Sequence, residues 1–263
     1  MEELYGLARL LEGKAVTLVG GQALNLWAEF FFDHAPEVLT AYAPFTSKDI
    51  DYLGLENAAR ALAEAAGGKV ITPNDDDLGP NVAIVWLPLN GRWIRIDFLT
   101  SLAGVSQKRL TAQNAVVELT VPADDAESDD IVLNVLHPVP VLMSRAGNIA
   151  VLCRDDEQAM RQMRAAVIVV REYAWMCLRN GDLREAARVV REVARWGQRD
   201  LSAREVYARG ICDPFDAVAP LVSSQKWDIR FRERSLRPEI ERARKVRDRG
   251  LAEARRKSAH APS

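Results

Sequence analysis

Cysteine and histidine are scarce in this 263-residue chain, with three of each. Cys153, Cys177 and Cys212 lie far apart and form no CxxC pair, and His34, His137 and His260 show no metal-ligand spacing. A disulfide framework and a zinc site are therefore not expected, and the thiols read as free and buried. No run approaches the roughly 18 apolar residues of a membrane span. The opening "MEELYGLARLLEG" is acidic and amphipathic rather than basic then apolar, so a cytoplasmic protein without a membrane segment is expected. G-x-G-x-x-G is missing as well, which argues against a dinucleotide-binding turn. There is no internal repeat.

What is present divides by charge. Residues 1 to 150 carry 10 Lys+Arg against 20 Asp+Glu, whereas residues 151 to 263 carry 25 against 17. The first part holds the strand-like runs "AVTLV", "KDIDYL", "NVAIVWLPL", "RWIRIDFL", "AVVELTV" and "IVLNVL", and the second reads as helix almost throughout. Pro138 and Pro140 in "LHPVP" deny a strand its ladder donors and follow the polar loop "ADDAESDD", which sets the boundary there. The expectation is an α+β protein. Residues 1–136 form a domain of strands with two helical stretches, and residues 137–263 form an all-α domain with a basic C-terminal helix and a disordered tail, "KSAHAPS".

Gly20 and Gly21 stand between "AVTLV" and a stretch whose Leu24, Leu26, Trp27, Phe30 and Phe31 fit one buried helix face. Glycines at a helix N-terminus let backbone N–H groups approach an anion, a corner that suits a phosphate. The competing reading is a tight turn with close helix packing. In "SKDIDYLG" alternate side chains share a face, so Ser47, Asp49 and Asp51 point one way. The two acids, with Cα atoms about 6.6 Å apart by strand rise, could lean onto one hard cation. In "NVAIVWLPLNGRWIRIDFLT", Asn90-Gly91 signals a hairpin. Its second strand puts Ile94, Ile96 and Phe98 on one face and Trp93, Arg95, Asp97 and Leu99 on the other. Carboxylates about 6 Å apart repel by roughly 3 kcal/mol per pair at an effective dielectric near 20. A bound metal would reverse that cost; without one, at least one of the acids has a raised pKa. The alternatives are a solvent-facing edge for Asp49 and Asp51 and a salt bridge to Arg95 for Asp97.

Together "VGGQALNLW", "SKDIDYLG" and "IRIDFL" resemble the nucleotidyltransferase superfamily with the polymerase-beta-type fold, over roughly the first 135 residues. The resemblance implies a mixed β-sheet flanked by helices, with two Mg²⁺ ions, or Mn²⁺, on Asp49, Asp51 and Asp97. It also implies a nucleoside triphosphate, ATP among the candidates, held by Gly20 and Gly21 with Ser47 and Lys48 beside it. The implied activity is transfer of a nucleoside monophosphate to a hydroxyl by a two-metal mechanism, with RNA ends ranked first as acceptor and proteins or small molecules as alternatives. A catalytically silent nucleotide-binding relative, such as a toxin–antitoxin or defence component, is the other reading. The spacing departs from the pattern, since residues 22 to 48 separate the glycines from the first acid, and "DHAPEVLTAYAPF" reads as an inserted loop over the site.

In the second half Arg145 and Asn148 are helix neighbours that could reach the nucleotide or make an interdomain contact. Toxin-type members of the superfamily carry a lysine in this region, where this chain has Arg145. Arg184, Arg188, Arg191, Arg195 and Arg199 recur at helical spacing, and residues 226 to 257 hold 13 basic and 6 acidic residues. Both features read either as an RNA phosphate surface or as a basic face docked on the acidic N-terminal domain.

Overall fold

The computed structural model describes every residue except 1–5, 8, 12, 44, 46–48, 75–78, 90, 122–129 and 260–263. The chain is α+β, and among the described residues its strands form one seven-stranded mixed sheet in the order β3-β4-β5-β2-β1-β7-β6. The strands are β1 (Thr17–Val19), β2 (Ile50–Leu53), β3 (Lys69–Ile71), β4 (Asn81–Leu89), β5 (Arg92–Leu99), β6 (Val116–Val121) and β7 (Ile131–Leu136). β1 runs parallel to β7 and antiparallel to β2, β2 is parallel to β5, and β4–β5 and β6–β7 are antiparallel pairs. β3, unforeseen in the sequence, is a short edge strand that follows Gly67 and Gly68 and pairs antiparallel with β4.

The principal helices are α1 (Gly20–Phe32), α2 (Glu56–Ala65), α3 (Pro138–Ala150), α4 (Glu157–Arg179), α5 (Leu183–Arg199), α6 (Leu201–Ala208) and α7 (Arg237–Ala259). Local chemistry fixes where they start. Pro138 opens α3, a position where its missing N–H costs nothing, and buried His137 accepts the Val139 N–H on Nδ1 at 3.1 Å. Asp156, Asp182 and Asp200 cap α4, α5 and α6 by accepting first-turn N–H groups. Among the described residues no helix is long and apolar enough to cross a membrane.

The chain falls into two compact units, residues 1–26 with 45–141 and residues 27–44 with 142–263. The sheet unit is built on strand faces that alternate as the sequence predicts. Ile94, Ile96 and Phe98 are buried along β5 while Trp93 is 52% exposed, and Leu18, Tyr52, Val85, Leu87 and Val135 complete that core. The helical unit buries Val169, Val170, Val189, Val190, Val193, Phe215 and Leu221.

Four expectations change. Residues 27–44 belong to the helical unit and not with the first 136 residues. Within them the stretch expected as a loop over the site folds into a helical turn (Pro36–Leu39) and a 3-10 turn (Thr40–Tyr42). Arg161 of α4 holds it by donating to the carbonyls of Tyr42 and Ala43 at 3.2 and 2.9 Å. Phe30 is 47% exposed, so α1 buries Leu24, Leu26, Trp27 and Phe31 without it. Trp27 stacks on Phe31 and meets Tyr173 of α4 edge-on. Residues 257–259 of the stretch expected to be disordered, "KSAHAPS", are helical, because α7 continues to Ala259. The end of the tail, with His260, and most of the "ADDAESDD" loop lie outside the described residues.

Candidate functional site

The site begins at the end of β1. Val19 pairs with Asp51 on the antiparallel side of β2, and Asp51 pairs with Asp97 on its parallel side. Directly opposed residues in neighbouring strands present their side chains on the same face, so the register brings Asp51 and Asp97 together. Tyr52 and Phe98, the next pair, point into the core with their rings 5.9 Å apart.

Gly20 opens α1 directly beyond β1, with φ at +67°. A Cβ placed on it would stand 2.0 Å from Asp51 Oδ2. Gly20 is thus required twice, for a left-handed backbone and for the space that the Asp51 carboxylate occupies. The sequence offers this corner to a phosphate; the structure fills the Cβ space at Gly20 with an acid, at the first turn of a helix whose N-terminal dipole favours negative charge. Gly21 is the next residue of that turn.

Asp97 is only 8% exposed. Its Oδ1 accepts from Asn81 Nδ2 at 2.9 Å and from Arg95, whose Nε lies 3.1 Å away and Nη2 3.0 Å. The salt bridge foreseen as the alternative for Asp97 is therefore formed. Burial nevertheless pushes its carboxyl above the usual carboxylate range; Arg95 and Asn81 oppose that shift and the charge of Asp49 reinforces it. Asp49 itself sits in an exposed bend immediately before β2, outside the ladder in which the alternation of "KDIDYL" placed it. Ser47, Lys48 and the hairpin residue Asn90 lie outside the described residues. Gly91, beside Asn90, has φ at +75°, as the two-residue turn demands.

The donor set is chemically suited to a hard divalent cation, since it consists of carboxylate oxygens. It comprises two acids in register and a third at the strand entrance, with one Asp97 oxygen already engaged. Among the described residues no group of three or more His, Cys, Asp or Glu side chains is gathered as a ready metal cage.

Arg145 lies in the helical unit, buried on α3. Its Nη1 donates to Gln162 Oε1 at 3.2 Å and its Nη2 to the Ser144 hydroxyl at 3.4 Å. The five arginines of α5 do not act alike. Arg188 is bound to Glu185 and Glu192 of its own helix at 2.5 to 2.7 Å. Arg191 pairs with Glu239 at 3.5 Å and lies over the Phe231 ring. Arg184, Arg195 and Arg199 are exposed. The acids that neutralise Arg188 and Arg191 thus come from the helical unit itself.

The thiols correct another expectation. Cys177 is buried, Cys212 is half-buried and Cys153 is exposed, with a φ of +52° just past the end of α3. Burial pushes the Cys177 and Cys212 thiols up to about 11 and about 12.

Two contributors escaped the sequence. Asn81 opens β4 beside Asp97, and its one signal is a lone polar amide at the head of an apolar run. Arg247 is 2% exposed in α7 and looks there like any other member of a basic helix. No protein-family model, curated protein or solved structure matches the chain.

Proposed function

We propose that the sheet unit is a nucleotidyltransferase-type catalytic module, which transfers a nucleoside monophosphate from a nucleoside triphosphate to a hydroxyl acceptor with Mg²⁺ held by Asp49, Asp51 and Asp97. The observation that carries this reading is the pairing of Asp51 with Asp97 across β2 and β5, beside a glycine that leaves the Asp51 carboxylate room at the start of α1. A triphosphate drawn to that helix start would meet Asp51 there. Two anions share such a corner only with positive charge between them. Magnesium, when bound, supplies that charge and the activation of the acceptor hydroxyl. Gly21 and the first turn of α1 orient the phosphates by backbone N–H groups, and Asp97, held through Oδ1 by Arg95 and Asn81, would offer its other oxygen to the cation.

An RNA 3′ end remains the acceptor ranked first. The second reading, a silent nucleotide-binding relative of the toxin–antitoxin or defence kind, draws on the Arg95 guanidinium. It already sits on Asp97 and supplies a fixed positive charge where the active reading needs an exchangeable one.

Incubation with labelled nucleoside triphosphates, Mg²⁺ and total RNA or lysate tests the first reading. Transfer is expected for the wild type and none for Asp51→Asn, whose fold should hold or gain slightly because repulsion within the acid cluster is relieved. Calorimetry should show Mg²⁺ binding to the wild type and markedly weaker binding to Asp97→Asn, which removes one carboxylate from the donor set. Nucleotide binding without transfer under all conditions would favour the silent reading, and unfolding of Asp51→Asn would make the acids structural.

A further inference from the structure

Helices α5 and α7 of the helical unit leave a cleft of about 460 Å³ between them. Its walls carry Arg195 and Arg199 from the last turns of α5, Arg234 and Ser235 from the π-helical turn Arg232–Leu236, and Glu239 and Arg242 from α7. Arg195, Arg199, Arg234 and Arg242 are exposed, and none has an ion-pair partner among the described residues. The one acid in the wall, Glu239, is already paired with Arg191. Four guanidiniums therefore share one cleft with a single carboxylate that is already paired, an arrangement that costs free energy and that an anion would offset. From Arg242 the positive charge continues along the same face of α7 through exposed Lys245 and Arg249, three and seven residues on, for about 10 Å by helical rise. It stops at Glu253.

We propose that this cleft and its extension hold the phosphodiester backbone of a single-stranded nucleic acid. The length of the stripe decides between occupants: a compact polyphosphate would be satisfied by the four arginines alone, whereas an extended polyanion also uses Lys245 and Arg249. No aromatic side chain lines the cleft, and the nearby Phe231 ring is covered by Arg191 and packed against Trp227 at 5.7 Å. The site lacks a base-stacking platform, so it reads backbone and not sequence. That RNA is the relevant strand rests on the acceptor proposed above; the cleft itself depends on neither the acids nor a cation.

The test is fluorescence anisotropy with labelled 12-nucleotide rU and dT strands, without Mg²⁺ or nucleotide. Both strands should bind alike, and affinity should fall steeply with salt. The Arg199→Glu/Arg242→Glu variant should bind at least tenfold more weakly. The neutral Arg199→Gln/Arg242→Gln pair, used if the reversal fails to fold, should flatten the slope of log affinity against log salt by about 1.4 for two lost phosphate contacts. Lys245→Glu/Arg249→Glu should weaken both strands but leave tripolyphosphate binding unchanged. Arg184→Glu, on the same helix but outside the cleft, should match the wild type. Equal loss with Arg184→Glu overturns the site, and tripolyphosphate binding as tightly as the strands, with Lys245 and Arg249 indifferent, overturns the extended occupant. Asp51→Asn should bind both strands normally, so a failed transfer reaction leaves this result untouched, and the reverse also holds.

Discussion

The two units surround a buried charge, Arg247 in one and Asp97 in the other, in opposite ways. In the helical unit Arg247 is a compensated buried cation: it donates to Asp213 at 2.6 Å and to Asp248 at 3.0 Å, and its guanidinium lies 3.6 Å from the centre of the Tyr207 ring. In the sheet unit like charges are gathered instead, with Asp49 acting on Asp97 and Asp51 opposite it, against the single guanidinium of Arg95. A compensated buried charge holds a fold together. Gathered like charges weaken the empty fold, and they persist where a ligand offsets them.

The most damaging way to break this contrast is to remove the compensated cation. Arg247→Ala leaves Asp213 without its short partner and strips the cation from the Tyr207 and Phe215 rings, so a loss of about 3 to 5 kcal/mol is expected. Arg199→Ala, in the same helical unit but without an ion-pair partner among the described residues, should stay within about 0.5 kcal/mol of the wild type. Urea unfolding of both variants checks the pair. Equal stability of the two would mean that the helical unit does not depend on compensated charge.

Much of this contrast was legible in the sequence, and the rest was hidden for physical reasons. Alternation alone put Ile96 and Phe98 in the core and Asp97 on the opposite face, because a period of two survives any change of neighbour. Alternation carries no information about where pairing stops, so Asp49 was placed in a strand that begins one residue later. The pairing of Arg188 was readable, since Glu185 and Glu192 stand at the helical spacings that bring side chains together. The Arg161 contact to residues 42 and 43 was not, because it spans more than a hundred positions. Nor could the spacing of arginines on α5 foretell a cleft whose other wall comes from a π-helical turn and α7.

A smaller effect sharpens the comparison at the glycine corner. Gly20→Ala must accommodate both a left-handed φ and a Cβ at 2.0 Å from Asp51 Oδ2, for an expected loss of about 2 to 4 kcal/mol. Gly20→Ala/Asp51→Ala removes the overlapping carboxylate and leaves only the backbone strain. The double variant should therefore be more stable than the sum of the single changes implies, by about 1 to 3 kcal/mol. Additive losses would mean that the carboxylate is free to turn away from Gly20 and that the close approach constrains nothing.

The smallest expected effect concerns pH. Burial raises the Asp97 carboxyl above its ordinary value of 3.8, Arg95 and Asn81 oppose the rise, and Asp49 adds to it. Between the unfolded and folded values the native protein holds a proton that the unfolded chain has released. Stability at this site therefore falls as pH rises through that window, and the cost stays in full above it. No single group changes stability by more than about 1.4 kcal/mol per pH unit. The measurement is the difference in unfolding free energy between the wild type and Asp97→Asn from pH 3.5 to 8, which cancels the titration of other groups. It should show the wild type losing ground as pH rises and then levelling off. Arg95→Gln removes the largest opposing influence, so in that background the Asp97 difference should grow and level off at higher pH. Mg²⁺ stabilises the ionised form and should shrink the difference above the window. A profile in which the wild type gains on Asp97→Asn as pH rises would mean that Arg95 and Asn81 overcompensate burial. The sheet unit would then handle its acid as the helical unit handles Arg247, and the case for a cation among Asp49, Asp51 and Asp97 would lose its energetic basis.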